Sequence, residues 1–213
     1  MKALRKVKIV WSPNFAYVIG LIATDGNLSS DGRHINFASK DEEQIENFLA
    51  CLKCDNKITK NISGSGNLSL RVQIGDIHFY KFLLKIGLTP AKTKTLGKIK
   101  IPKKYFFDFL RGHFDGDGTF YSYFDPRWKN SYMFYTIFIS ASKDHIDWIR
   151  KEVTRHLGIL GHVTKAKTSS IYQLKYAKAD SLKLLGKIYY NNQVICLSRK
   201  REKIALALKK QIH

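Results

Sequence analysis

No apolar run in this chain approaches the roughly 18 residues that a membrane span needs. The N-terminal stretch MKALRKVKIVWSPN is basic and lacks both the apolar core and the small-residue cleavage site of a signal peptide. Cysteine is scarce. Three residues cannot form an even disulfide set, and Cys51-Leu-Lys-Cys54 has no second pair to complete a zinc site, so both read as core thiols one helical turn apart. Acid is scarce as well. Asp and Glu number 17 against 37 Lys and Arg, a formal charge of +20. Such a surplus repels itself, and a polyanion relieves it, which argues for nucleic acid before an anionic membrane surface. The expected setting is intracellular, cytoplasmic or nucleoid-associated, or an organelle interior for an organelle-encoded chain, with no membrane partner.

At 213 residues and 44% hydrophobic content, the chain can build one large domain or two small ones without disulfide help. Its order is duplicated. Ala38-Ser-Lys-Asp41 recurs as Ala141-Ser-Lys-Asp144, each after a β-type segment and before an amphipathic helix. Lys57 to Lys60 is echoed by His162 to Lys165, and Leu68 to Ile74 by Ile171 to Ala177. Both strands lead to an Asp, Asp76 or Asp180, read as the N-cap of a helix over 77–86 or 182–188. The earliest echo is the longest: Pro13 to Gly26 against Pro102 to Gly118. Each begins with Pro at a first helical position and ends at Asp-Gly, where Gly suits a left-handed C-terminal residue. The two offsets, 92 at Asp25/Asp117 and 103 at Lys40/Lys143, imply an 11-residue insertion near Asp125-Pro-Arg127. Each half therefore reads helix, strand, strand, helix, strand, strand, helix. The boundaries are 1–88, a basic linker 89–101, and 102–213 with a basic C-terminal helix from Ser198. Asp31-Gly32 and the 63–66 Ser/Gly run mark hairpin turns.

Gly20 and Thr24, and Gly112 and Gly116, lie four residues apart on one helical face, and small residues at that spacing let two helices approach closely. If the two copies pack so, Asp25 and Asp117 meet on a pseudo-twofold axis. Two such carboxylates repel unless a cation sits between them. Mg²⁺ takes oxygen ligands, and the helix-end carbonyls of Thr24 and Gly116 lack intrahelical partners. Asp115-Gly-Asp117-Gly is no calcium loop, because the required Glu falls at Pro126.

Val18-Ile-Gly-Leu-Ile-Ala-Thr-Asp-Gly26 and Leu110-Arg-Gly-His-Phe-Asp-Gly-Asp-Gly118 resemble the two signature motifs of the LAGLIDADG homing endonucleases in their single-chain form. Arg111 and His113 make the second copy more polar, at positions where that family varies. The resemblance implies an α+β fold of two αββαββα repeats related by a pseudo-twofold. The motif helices pack at the interface, and the antiparallel sheets form a saddle over DNA. It implies a monomeric, site-specific double-strand endonuclease that cuts across the minor groove. Asp25 and Asp117 are then metal ligands and catalytic residues, with Thr24 and Gly116 completing the metal set. Lys40 and Lys143 stand near the scissile phosphate, and Ser39 and Ser142 organise water. The implied cofactor is Mg²⁺, with Mn²⁺ substituting and Ca²⁺ binding without supporting cleavage. The rival readings are a cleavage-inactive intron maturase that binds RNA and a DNA-binding regulator. An intein origin is not expected, which leaves a free-standing or intron-borne reading frame.

Strand alternation is independent of that resemblance. Leu68, Leu70, Val72 and Ile74 share one face, and Ser69, Arg71 and Gln73 the other. In the second half Ile171, Gln173 and Lys175 oppose Tyr172, Leu174 and Tyr176. Arg reads guanine and Gln reads adenine in the major groove. The candidate base readers are Asn27, Ser29, Arg33, Asn36, Arg71 and Gln73, then Tyr121, Tyr123, Arg127, Lys129, Gln173 and Lys175. Lys57, Lys60, Lys165 and Lys167 are phosphate contacts. Arg199 to Arg201 and Lys209-Lys210 lie along the DNA backbone or on a solvated face. The expected target is double-stranded DNA of about 20 bp, one turn of major groove for each half.

Overall fold

A computed structural model describes residues 6–62, 68–128, 131–166 and 170–210, with residues 61 and 62 described in backbone only. Lys129 and Lys167 lie outside the described residues.

Helix α1 runs Pro13–Asp25, with Pro at its start and the Ser12 hydroxyl accepting from the Phe15 amide. Two short strands follow, β1 (Gly26–Leu28) and β2 (His34–Ser39), then α2 (Glu42–Leu52), β3 (Thr59–Ile62), β4 (Leu68–Gly75) and α3 (Ile77–Ile86). After one 3-10 turn at Lys92–Lys94 and another at Lys103–Tyr105 the pattern repeats. It comprises α4 (Phe106–Gly116), β5 (Thr119–Phe124), β6 (Tyr132–Ser140), α5 (Lys143–Leu157), β7 (His162–Lys165), β8 (Tyr172–Tyr176) and α6 (Lys178–Ile188), closed by α7 (Ser198–Lys210). The two antiparallel sheets have equivalent orders, β1-β2-β4-β3 and β5-β6-β8-β7.

The halves join where α1 crosses α4. A Cβ on Gly20 would lie 2.6 Å from the His113 amide nitrogen, and one on Gly112 would lie 2.9 Å from the Tyr17 carbonyl carbon and 3.2 Å from Gly20 Cα. The glycines are thus required by the crossing itself. Around it Tyr17, Val18, Ile19, Leu21, Phe109, Leu110 and Phe114 are buried completely, and Phe37 stacks on Phe48 beneath the first sheet.

Three expectations need correction. Gly26 is extended (φ −84°), and Gly118 is not among the positive-φ residues. Space makes these glycines necessary: a Cβ would stand 2.6 Å from the Cα of Ile22 or of Phe114, in the last turn of the preceding helix. Asp76 caps α3, accepting from the Phe79 amide at 2.9 Å. Asp180 caps nothing, because α6 starts two residues before it, after Ala177. There Ser181 takes up the local polar groups, accepting from the Thr136 amide and donating to the Tyr176 carbonyl.

The register of the duplication also changes. The Ser39 hydroxyl accepts from the amide two residues on, at Asp41, as the Ser140 hydroxyl does from Ser142. Phe37 and Phe138 are the buried counterparts, as are Ile45 and Ile146. The true offset here is 101, so Lys40 is equivalent to Ala141, and Lys143 to Glu42. The Ala-Ser-Lys-Asp echo is two residues out of register, and the insertion is nine residues. It lengthens the β5–β6 hairpin.

Candidate active site and open sheet surface

Both motif helices end at one place. A Cβ on Gly116 would lie 2.8 Å from Asp25 Oδ2 and 2.7 Å from Thr24 Cβ, so the Asp25 carboxylate lies against the end of the opposite helix. Burial, and after it the Asp117 charge, push the Asp25 carboxyl up to about 6. Asp117 is raised by burial and held down by Lys92 and Lys200. The Thr24 hydroxyl turns inward, donating to the Leu21 carbonyl at 3.0 Å.

The two lysines acting on both acids were read from sequence only as parts of basic runs, Lys200 in the run assigned to the DNA backbone or a solvated face. Lys92, from the segment read as a plain basic linker, is only 6% exposed. Its ammonium donates to the Gly26 carbonyl and at 3.5 Å to that of Thr24. Lys200, from the first turn of α7, donates to the carbonyls of Phe114 (2.6 Å), Asp115 (2.8 Å), Gly116 (3.2 Å) and Gly118 (2.7 Å). Thr24 and Gly26 correspond to Gly116 and Gly118, so the two ammonium groups cap the motif helices in equivalent ways. Each completes the orphan carbonyls of a helix end and faces the negative pole of its dipole. Burial pulls both down to about 8, against the pull of Asp25 and Asp117. The carbonyls of Thr24 and Gly116, expected to be free for metal, therefore already accept from ammonium.

The other predicted residues separate. Lys40 and Ser39 line a 310 Å³ cleft with Asp25 and Gly116. Lys143 is exposed on α5 and forms an i,i+4 ion pair with Asp147, which raises its pKa. Ser39 donates to Gln44 Oε1 at 2.7 Å. Ser142 is buried and donates to the Leu96 carbonyl, so it organises no water at the acids. Asp115 is an anchor: it accepts from the Tyr17 hydroxyl at 2.9 Å and the Leu197 amide at 2.8 Å. Arg111, fully buried, binds the carbonyls of Ile188 and Ile195 and the Asp108 carboxylate. With Glu43 accepting from Ser198, these contacts position the start of α7 and with it Lys200.

On the open face of the first sheet Asn27, Asn36 and Gln73 form one row, with Arg71 across from Ala38 and Thr59. Asn36 is 8% exposed and already committed: it donates to Ser29 Oγ and accepts from Arg71 Nε at 3.1 Å. It thereby fixes the Arg71 guanidinium. Arg33, Lys57 and Lys60 are exposed. In the second sheet Leu174 and Tyr176 are fully buried, which leaves Gln173 and Lys175 on the open face with the stacked rings of Tyr121, Tyr123 and Tyr135. Lys165 lies over the Tyr172 ring. Arg127 is clamped by Asp125 at the hairpin tip. Arg199 pairs with Asp41, and Arg201 donates to carbonyls of Asn191 and Asn192.

No protein-family model matches the chain, and no curated protein matches it. Solved structures do. The chain is similar to full-length DUF199/WhiA from Thermatoga maritima, with 16% identity, TM-score 0.59, and coverage of 96% of this chain and 63% of that one. It thus spans less than two thirds of that protein's length. It is also similar to the homing endonuclease I-WcaI bound to its DNA recognition sequence, with 13% identity, TM-score 0.62, and coverage of 91% and 88%. For I-DmoI in complex with DNA and Mn the values are 15% identity, TM-score 0.54, and coverage of 84% and 98%. At these identities the likeness establishes the architecture, and the chain has the two-repeat fold of the LAGLIDADG homing endonucleases and of the WhiA LAGLIDADG domain.

Proposed function

We propose that this protein is a monomeric, site-specific DNA endonuclease that hydrolyses one phosphodiester on each strand of a long duplex across its minor groove. The observation that carries this reading is the pairing of Asp25 and Asp117 at the joined ends of two motif helices, between two ammonium-capped termini. Two carboxylates that burial makes costly to ionise, Asp25 the more so beside the Asp117 charge, suit a divalent cation, and their donor chemistry fits Mg²⁺ or Mn²⁺. A cation held there by Asp25 and Asp117 would supply an activated water and counter-charge for phosphate. Lys92 and Lys200 keep the helix ends rigid and add positive charge beside the scissile position. This supports transition-state charge together with Lys40, which shares the Asp25 cleft, whereas Lys143 is exposed and paired with Asp147. Arg71, braced by Asn36, and Gln73, Gln173 and Lys175 read base edges; Lys57, Lys60 and Lys165 meet phosphates.

A second reading, DNA binding without cleavage, is favoured by the match to the WhiA chains, which share this fold over almost the whole of the present chain. A bind-and-cut selection on a randomised duplex library separates the two. Sites cut on both strands with Mg²⁺, bound but intact with Ca²⁺, and uncut by Asp25→Asn establish the nuclease. Sites enriched but never cut establish the binder.

A further inference from the structure

At the opposite end of the motif helices from the acids, about 20 Å away along a 13-residue helix, a cleft of 570 Å³ opens between the helical layers of the two halves. Its floor is aromatic: Trp11 before α1, Phe82 on α3, Phe106 at the start of α4, and Trp148 and His156 on α5. Phe106 stacks flat on His156 at 5.4 Å. Two polar groups in this lining are buried without a partner, Trp148 Nε1 and His156 Nε2, and Trp148 is only 9% exposed. Both atoms lie beneath the cleft surface, and the rings the cleft itself presents are those of the half-buried Trp11, Phe82 and His156.

The rim is cationic. Lys85, Lys98, Lys100, Lys103 and Arg155 surround the cleft, against one acid, Glu152, which is paired with Arg155. The four lysines are exposed and form no ion pair among the described residues. Lys94 and Lys104, close by in sequence, are exposed as well.

We propose that this cleft is a second nucleic-acid site, one that takes an unpaired polynucleotide strand. A base stacks against the half-buried Trp11 and Phe82 rings, while its flanking phosphates meet the lysines of the rim. Aromatic platforms in a cationic groove are what single-strand binding requires. Four unpaired lysines round one cleft exceed what a single phosphate needs and favour a strand over a free nucleotide. Because the cleft lies on the helical side, a duplex on the open sheet faces leaves it accessible, and the site does not depend on cleavage.

The test uses the full chain and fluorescein-labelled single strands of about 12 nucleotides, one RNA and one DNA, followed by anisotropy and tryptophan quenching. The charge-reversal variant Lys98→Glu/Lys100→Glu/Lys103→Glu should bind single strands roughly 10-fold or more weakly while holding duplex as the wild type does. Arg71→Glu/Lys175→Glu should do the reverse. All five positions are partly or fully exposed, so folding is preserved, which melting confirms. The RNA and DNA arms decide whether the 2′-hydroxyl matters. Equal losses for single strand and duplex in the first variant, or no loss for single strand, overturn the proposal. So does full displacement by AMP alone. A wild type that binds no duplex, yet loses single-strand affinity in the lysine variant alone, sinks the endonuclease reading and leaves this one standing.

Discussion

At the level of single residues, the site turns on which acids and bases are already committed. Asp115 is held by Tyr17 and Leu197, whereas Asp25 and Asp117 retain carboxylate oxygens for a ligand. Asp25→Asn or Asp117→Asn should therefore abolish double-strand cutting with little loss of duplex affinity, scored on one labelled duplex by cleavage and by gel shift. Lys200→Met and Lys92→Met should each slow cutting by about 100-fold, on the scale of losing one preorganised electrostatic donor. Lys143→Ala should leave the rate unchanged. His145 supplies a pH dependence. Burial pulls it down to about 4, with its ring bonded to the Gly97 carbonyl, so the unfolded chain binds its proton more readily than the folded chain. Its contribution to stability is present above the ordinary histidine range and is lost as pH falls from about 6.5 to 4. Between pH 7 and pH 5 the wild type should lose about 2 kcal/mol relative to His145→Phe in chemical unfolding. The comparison cancels the opposite trend from Asp25 and Asp115, which favour folding as they protonate.

Among the helices, the α1–α4 crossing leaves no room for a methyl group. Gly112→Ala would drive a Cβ against the backbone of Tyr17, and the two helices would have to separate. A loss of about 3 kcal/mol is expected, or roughly 10 °C in melting temperature. Because the helix ends carry Asp25 and Asp117, cutting should fall further than stability does. Gly186 in α6 is the control. A Cβ there meets nothing within 4 Å, so Gly186→Ala should stabilise by about 0.5–1 kcal/mol. The open sheet faces differ in kind, with an Arg71–Asn36–Ser29 network in one half and a stack of tyrosines in the other. Arg71→Ala should relax selection at one base position by about 1–3 kcal/mol in a sequenced binding assay.

Across the whole molecule, a charge of +20 acts as a field. Duplex affinity should fall steeply and log-linearly with salt as phosphate contacts release counterions, and a flat response would remove the nucleic-acid reading altogether. The chain also closes on itself. Segment 188–197 and α7 bring Lys200 to the motif helix ends through Arg111, Asp115 and Glu43. The C-terminal helix is thereby part of the candidate site, and its two-helix frame is braced by both halves.

Periodicity and duplication alone determined the element order, the helix over Ile77–Ile86, the Gly-x-x-x-Thr and Gly-x-x-x-Gly crossing, and the pairing of the two motif acids. These depend on local spacing, which a sequence displays directly. The tertiary structure decided the rest, because it depends on which groups meet across long separations. The Ala-Ser-Lys-Asp echo suggested a lysine pair, but the sheet register moves it by two residues and sends Lys143 to solvent. Lys92 and Lys200 sat in basic runs indistinguishable from a solvated face. Only packing shows that each is pulled inward, where two helix ends leave carbonyls that an ammonium group can satisfy.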